Sequence, residues 1–189
     1  MDFDVNGFFY TDNFGDDCRK YLNITRKSTT LISPQLMIVM MNPGSSVPID
    51  ETANNILTPT LYNPTQLQIM KIMDRKEIDF ARIINLSDLR ESKSSKFYSK
   101  IRNSRKDNQH SIFHESRMND LASLYEKNVP VIFAWGVNPA LDELTQLACN
   151  TLKVSNPLGI LKNSNRYYHA RPRTVSEQRK WLDCILKQI

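Results

Sequence analysis

Three short runs constrain this chain more than any other feature: Leu36-Met-Ile-Val-Met-Met41, Asp79-Phe-Ala-Arg-Ile-Ile84 and Pro130-Val-Ile-Phe-Ala-Trp135. Each is far shorter than the ~20 apolar residues that cross a bilayer. Each also stops abruptly, at Asn42-Pro43-Gly44, at Asn85 and at Gly136. A run that is apolar on both faces belongs in a strand buried between helices, as in a parallel α/β sheet. The segments between the runs carry helical periodicity. Thr65 can cap a helix to about Lys76, with Leu67, Ile69, Met70, Ile72 and Met73 on its apolar face. Ser111–Lys127, Pro139–Leu152 and Ser176–Ile189 read as further helices, the last facing the core with Trp181, Leu182, Ile185 and Leu186.

Around this core the pattern is weaker. Residues 6–10 and 18–26 flank the turn-rich Thr11–Asp17 segment and suggest an N-terminal hairpin. Residues 46–64, rich in Pro, Asn and Thr, read as a long loop, and 90–110 as a basic, serine-rich loop or short helix. Tyr167-Tyr168 could close a fourth strand ending at His169. The expected fold is a three-layer α/β sandwich on a mostly parallel, four-stranded central sheet with right-handed crossovers. One domain over residues 1–189 is expected, with 1–30 as the hairpin extension and 31–189 as the core.

Composition narrows the function classes. Three scattered cysteines, Cys18, Cys149 and Cys184, form no Cys-x-x-Cys pair, so neither a disulfide framework nor a zinc ribbon or iron–sulfur cluster is expected. His110 and His114 beside Glu115 are too few for a metal site, and no metal or cofactor is expected. The acidic start lacks a basic and then apolar leader, so the expected location is cytoplasmic. A monomer is expected. With only five glycines the chain has no dinucleotide fingerprint, and Gly44-Ser45-Ser46 is not followed by the Gly-Lys of a phosphate-binding loop. The net charge of +5 is uneven. Residues 1–17 hold Asp2, Asp4, Asp12, Asp16 and Asp17 and no base. Residues 90–117 hold Arg90, Lys93, Lys96, Lys100, Arg102, Arg105, Lys106 and Arg117 against Glu91, Asp107 and Glu115. A second basic stretch covers 162–180. Two such stretches suggest a polyanion partner such as nucleic acid.

In open parallel sheets a ligand binds outside the carboxyl ends of the strands. The strand ends here carry Asn42, Asn85, Asn138 and His169, which would meet around one crevice. That crevice would be neutral, offering amides and an imidazole, with no carboxylate pair or nucleophile motif. Its chemistry would rest on positioning and electrostatics.

These motifs resemble the uracil-DNA glycosylase superfamily. Leu36–Ser46, LMIVMMNPGSS, resembles the water-activating motif of its mismatch-specific uracil/thymine branch. Ala81–Arg90, ARIINLSDLR, resembles the strand that ends in the base-reading asparagine. Val131–Ala140, VIFAWGVNPA, resembles the following apolar strand and helix start, and His169-Ala170-Arg171-Pro172 stands where the family has its His-Pro-Ser loop. The same order also resembles a bacterial domain family without an assigned function. The resemblance implies a uracil-DNA glycosylase-like fold and a base-flipping hydrolase of the DNA-repair type that cleaves the N-glycosidic bond of a uracil-like or modified base. It assigns Asn42 to the attacking water and His169 to the leaving base. Asn85 would read the base, with Pro43, Tyr62 and Asn138 around it. Gly44, Ser45, Ser46, Ser87, Arg90, Arg171 and Arg173 would hold phosphates. The sequence departs from the family by ending its last motif in Ala-Arg-Pro and by placing Asn, not Asp, at position 42. Two alternatives stay open: a non-catalytic binder of nucleic acid or modified bases, and an enzyme of free nucleosides or nucleotides.

Overall fold

The computed structural model describes residues 2–189. Two long strands open the chain, β1 (Phe3–Thr11) and β2 (Asp17–Arg26), followed by β3 (Leu36–Met40), β4 (Ile56–Pro59) and helix α1 (Pro64–Arg75). Next come β5 (Phe80–Asn85), α2 (Ser94–Asn103), α3 (Met118–Leu124) and β6 (Val131–Ala134). The chain finishes with α4 (Asp142–Leu152), β7 (Leu161–Asn163), β8 (Arg166–Tyr167) and α5 (Val175–Gln188).

The α/β class holds, but the sheet is larger and less parallel than expected. It has six strands in the order β4-β1-β2-β5-β3-β6. Only β5, β3 and β6 run parallel. The N-terminal hairpin is not separate from this sheet: β2 pairs antiparallel with β5, Leu22 opposite Ile83 and Ile24 opposite Ala81. The extra edge strand β4 lies inside the segment read as a loop and pairs with β1. Its four residues, Ile56-Leu-Thr-Pro59, bury only Thr58 and end in proline, so the apolar signal of a strand is missing. Tyr167-Tyr168 does not supply a fourth parallel strand. β8 pairs with β7 in a small separate hairpin and touches the main sheet through one antiparallel bridge, Gly136 with Tyr167.

Every residue of β3 is buried. Leu36, Ile38 and Met40 pack with Ile69, Ile72 and Met73 of α1 and with Trp181 and Ile185 of α5. Met37 and Val39 pack on the other face with Phe97 of α2, Leu121 of α3 and Leu144 of α4. Each such side chain contributes roughly 1.5–3 kcal/mol on burial. Helix α1 starts at Pro64, with its cap two residues before the expected Thr65. Asn63 caps it, with Pro64 in the first turn, and Gln66 reaches back to the Asn63 N–H in a capping box. The expected helix over 111–127 is confined to α3, preceded by a 3-10 turn that His114 caps. The basic segment contains the ten-residue α2. No helix among the described residues is long and apolar enough to cross a membrane.

Candidate functional site

Parallel pairing sets Met40 beside both Asn85 and Ala134, so β3, β5 and β6 end at one level. Just beyond this level lies a cleft of about 480 Å³. Asn42, Pro43, Gly44 and Ser45 form one wall, and His169 and Arg171 line it as well, with Trp135 and Gly136. A groove of about 540 Å³ at the amino end of β6 has Met118, Leu121, Tyr125 and Leu152 in its lining, and no imidazole, carboxylate or guanidinium. The candidate chemistry therefore belongs to the strand-end cleft.

The Asn42 carboxamide is held in one orientation. Its Nδ2 donates to the backbone carbonyls of Leu89 at 3.1 Å and Glu91 at 2.8 Å. Two carbonyl acceptors demand the NH2 side, which leaves Oδ1 as the free end. The following Gly44 has φ +64°, a left-handed turn conformation that glycine adopts without cost. His169 is held in one tautomer: the Arg171 backbone N–H donates to its Nδ1 at 3.1 Å, so Nε2 carries the proton. Burial pushes its pKa below the ordinary imidazole value, which favours the neutral ring.

Several expected site residues are elsewhere. Asn85 is fully buried and does not line the cleft; its Oδ1 accepts from Arg19 Nη2 at 3.0 Å. Asn138 caps the 3-10 turn after β6 by accepting from the Ala140 N–H. Tyr62 is 55% exposed and outside the cleft lining. The Ser87 backbone N–H is committed to the Met41 carbonyl, and its side chain, whose hydroxyl accepts from the Leu89 N–H, is fully buried and outside the cleft lining. Ser46 is buried behind the turn, its N–H donating to the Pro43 carbonyl. Arg90 clips that turn to the hairpin by donating to the Ser46 carbonyl at 2.8 Å and pairing with Asp17 at 3.5 Å. Arg173 is exposed and outside the lining.

The cleft is not neutral, because Arg19 lines it. Alternation along Tyr21–Thr25 puts Leu22 and Ile24 on one face and would turn Arg19 to the other. The pairing slips instead: Phe8 faces Tyr21 but Phe9 faces Arg19, leaving Lys20 as an extra, bulged residue. The bulge turns Arg19 to the α1 side and Cys18 to the opposite cluster. Gly7 makes room there, since a Cβ would meet the Phe9 ring at 2.7 Å and the Arg19 stem at 3.3 Å. Burial pushes the Arg19 pKa down to about 9, which leaves it a cation at neutral pH.

Half of the basic segment is answered within the chain. Arg105 pairs with Asp12 at 2.7 Å and Asp16 at 2.6 Å, and Lys100 also pairs with Asp16. Arg117 pairs with the fully buried Asp88 at 2.7 Å and with Asp120 at 3.0 Å. With Arg90 on Asp17, four of the eight bases counted over 90–117 meet carboxylates, three of these from the acidic N-terminal stretch. His110 is buried against the Arg105 carbonyl rather than facing His114. Among the described residues no group of three or more His, Cys, Asp or Glu is placed to hold a metal, and no carboxylate lines the cleft.

No curated protein and no solved structure matches the chain. A family model covers residues 23–170, which takes in the Asn42 turn and His169 and begins just past Arg19. On that match, over well more than half its length, the chain belongs to the family described as Protein of unknown function (DUF1643).

Proposed function

We propose that the cleft hydrolyses the N-glycosyl bond between a base and its sugar, with nucleic acid, in the first place DNA, carrying the base. The observation that carries this reading is the pairing of a fixed Asn42 Oδ1 and a fixed His169 Nε2–H in one cleft without carboxylates. Asn42 cannot take a proton, so its carbonyl aligns the water and attack depends on departure of the base. His169 donates a hydrogen bond to the base as negative charge builds on it. A base in a duplex reaches such a pocket only by flipping out of the stack. Gly44, Ser45 and Arg171 stand at the cleft to meet the flanking backbone.

Single-turnover excision on oligonucleotides carrying uracil or modified bases tests the reading. Wild type is expected to leave abasic sites, and Asn42→Ala to slow this by about 10²-fold or more, the scale set by removal of one preorganised polar group. A panel on which no oligonucleotide yields an abasic site sinks the proposal for nucleic acid. One observation favours a second substrate class: half the basic segment is ion-paired internally, so less of it is left for a polymer. Release of free base from nucleosides or nucleotides, with a flat response to salt, would select that class.

A further inference from the structure

We infer that Arg19 anchors an oxyanion site in the cleft, taking the phosphate group of a phosphorylated ligand. Arg19 is only 3% exposed, yet the one hydrogen-bond partner of its guanidinium among the described residues is the neutral Asn85 amide. Its Nε and Nη1 are buried and have no partner among the described residues. No carboxylate forms an ion pair with it, although eleven ion pairs are formed elsewhere among the described residues. Asp88 favours the cation only at longer range and Arg90 opposes it; a buried cation with no carboxylate in contact is costly, and an anionic ligand lowers that cost on binding.

A second set of donors faces the same cleft. Ser92 and Ser94 line it at the start of α2. That helix has no side-chain cap, so its first backbone N–H groups are open to a ligand. The start of α1 also lines the cleft, but Asn63 Oδ1 already takes its Thr65 and Gln66 N–H groups. Arg171 adds an exposed guanidinium to the lining. Donors from β2, the start of α2 and the loop after β8 suit a tetrahedral group with several acceptor oxygens better than a flat carboxylate. About 480 Å³ leaves space for the organic part of the ligand. This site is independent of the hydrolase reading, because it is measured as binding without turnover.

Calorimetry and thermal unfolding of the full chain with inorganic phosphate, against chloride at equal ionic strength, test it. Phosphate is expected to bind and to raise the unfolding temperature of wild type. Arg19→Met is expected to bind phosphate at least tenfold more weakly, yet to unfold in chloride no earlier than wild type. Ser94→Asp keeps a good helix start but sets a carboxylate at the cleft, and it too should weaken phosphate at least tenfold. A wild type blind to tens of millimolar phosphate overturns the site, as does unchanged affinity in Ser94→Asp or in folded Arg19→Met. A 5′-mononucleotide and a 5′-phosphorylated oligonucleotide, each against its unphosphorylated form, then separate a free from a strand-borne phosphate. Equal affinity with and without the phosphate in both pairs would also overturn it.

Discussion

Arg105 and Arg19 are almost equally buried, at 4% and 3% exposure, but they live in opposite electrostatic settings. Arg105 closes a clasp. It holds Asp12 and Asp16 of the β1–β2 turn against the chain after α2, and the two carboxylates outweigh its burial and raise its pKa. Arg19 has the Asn85 amide as the one direct partner of its guanidinium and lines the cleft. One guanidinium is used to fasten the fold. The other is left with its demand unmet at the point where three parallel strands end. An excess of basic residues in a sequence does not distinguish these uses; only the placement of the acids does.

The comparison breaks most directly by removing each guanidinium in turn. Arg105→Met leaves Asp12 without its cation and Asp16 with Lys100 alone, and should cost about 3 kcal/mol in denaturant unfolding, the upper end for hydrogen bonds to a charged group. Arg19→Met should show no such loss, and an equal loss in both would erase the distinction drawn here. Asn42→Asp sets carboxylate oxygen against the Leu89 and Glu91 carbonyls and should cost about 2 kcal/mol at pH 7, while Asn42→Ala, which removes the group, should cost less. The clasp should also loosen in acid. Burial depresses the His110 pKa to about 4, so unfolded chain binds the proton more readily than folded chain. Stability from this group is full above the unfolded value near 6.5 and is lost as pH falls towards 4, by about 2.5 kcal/mol at pH 4.5. His110→Gln should flatten that part of the pH–stability curve relative to wild type. The smallest effect concerns the bases without carboxylate partners, Lys93, Lys96, Arg102 and Lys106. Replacing one by glutamine should lower the salt slope of oligonucleotide binding by about one phosphate contact and leave stability within about 0.5 kcal/mol.

The buried strands were legible because β3, β5 and β6 are apolar on both faces and stop at Asn42, Asn85 and Gly136. The same rule led to the cleft through Asn42; His169 and Arg171 line it too, although the strand assigned before them lies outside the parallel sheet. It failed at Asn85 because a residue at a strand end can lie beneath another side chain, here Arg19, and at Asn138 because the asparagine is spent on a cap. β4 was hidden by its shortness and exposure. Arg19 was hidden by the slip at Lys20, since alternation read from Leu22 and Ile24 sends it to the wrong face. Its one signal in the sequence is Gly7 within an otherwise bulky strand, which marks a close approach but not its purpose.

The unmatched residue in β2 makes the kind of cation at the cleft depend on arithmetic. Deleting Lys20 would leave Phe9 across from Arg19 and keep the guanidinium where it is. Adding one residue to β1 between Phe8 and Phe9 would instead give Lys20 a mate and swing it to the side that Arg19 now occupies. A change in hairpin length, distant in sequence from Asn42 and His169, would thus swap a planar fork for a single ammonium at the end of the parallel strands.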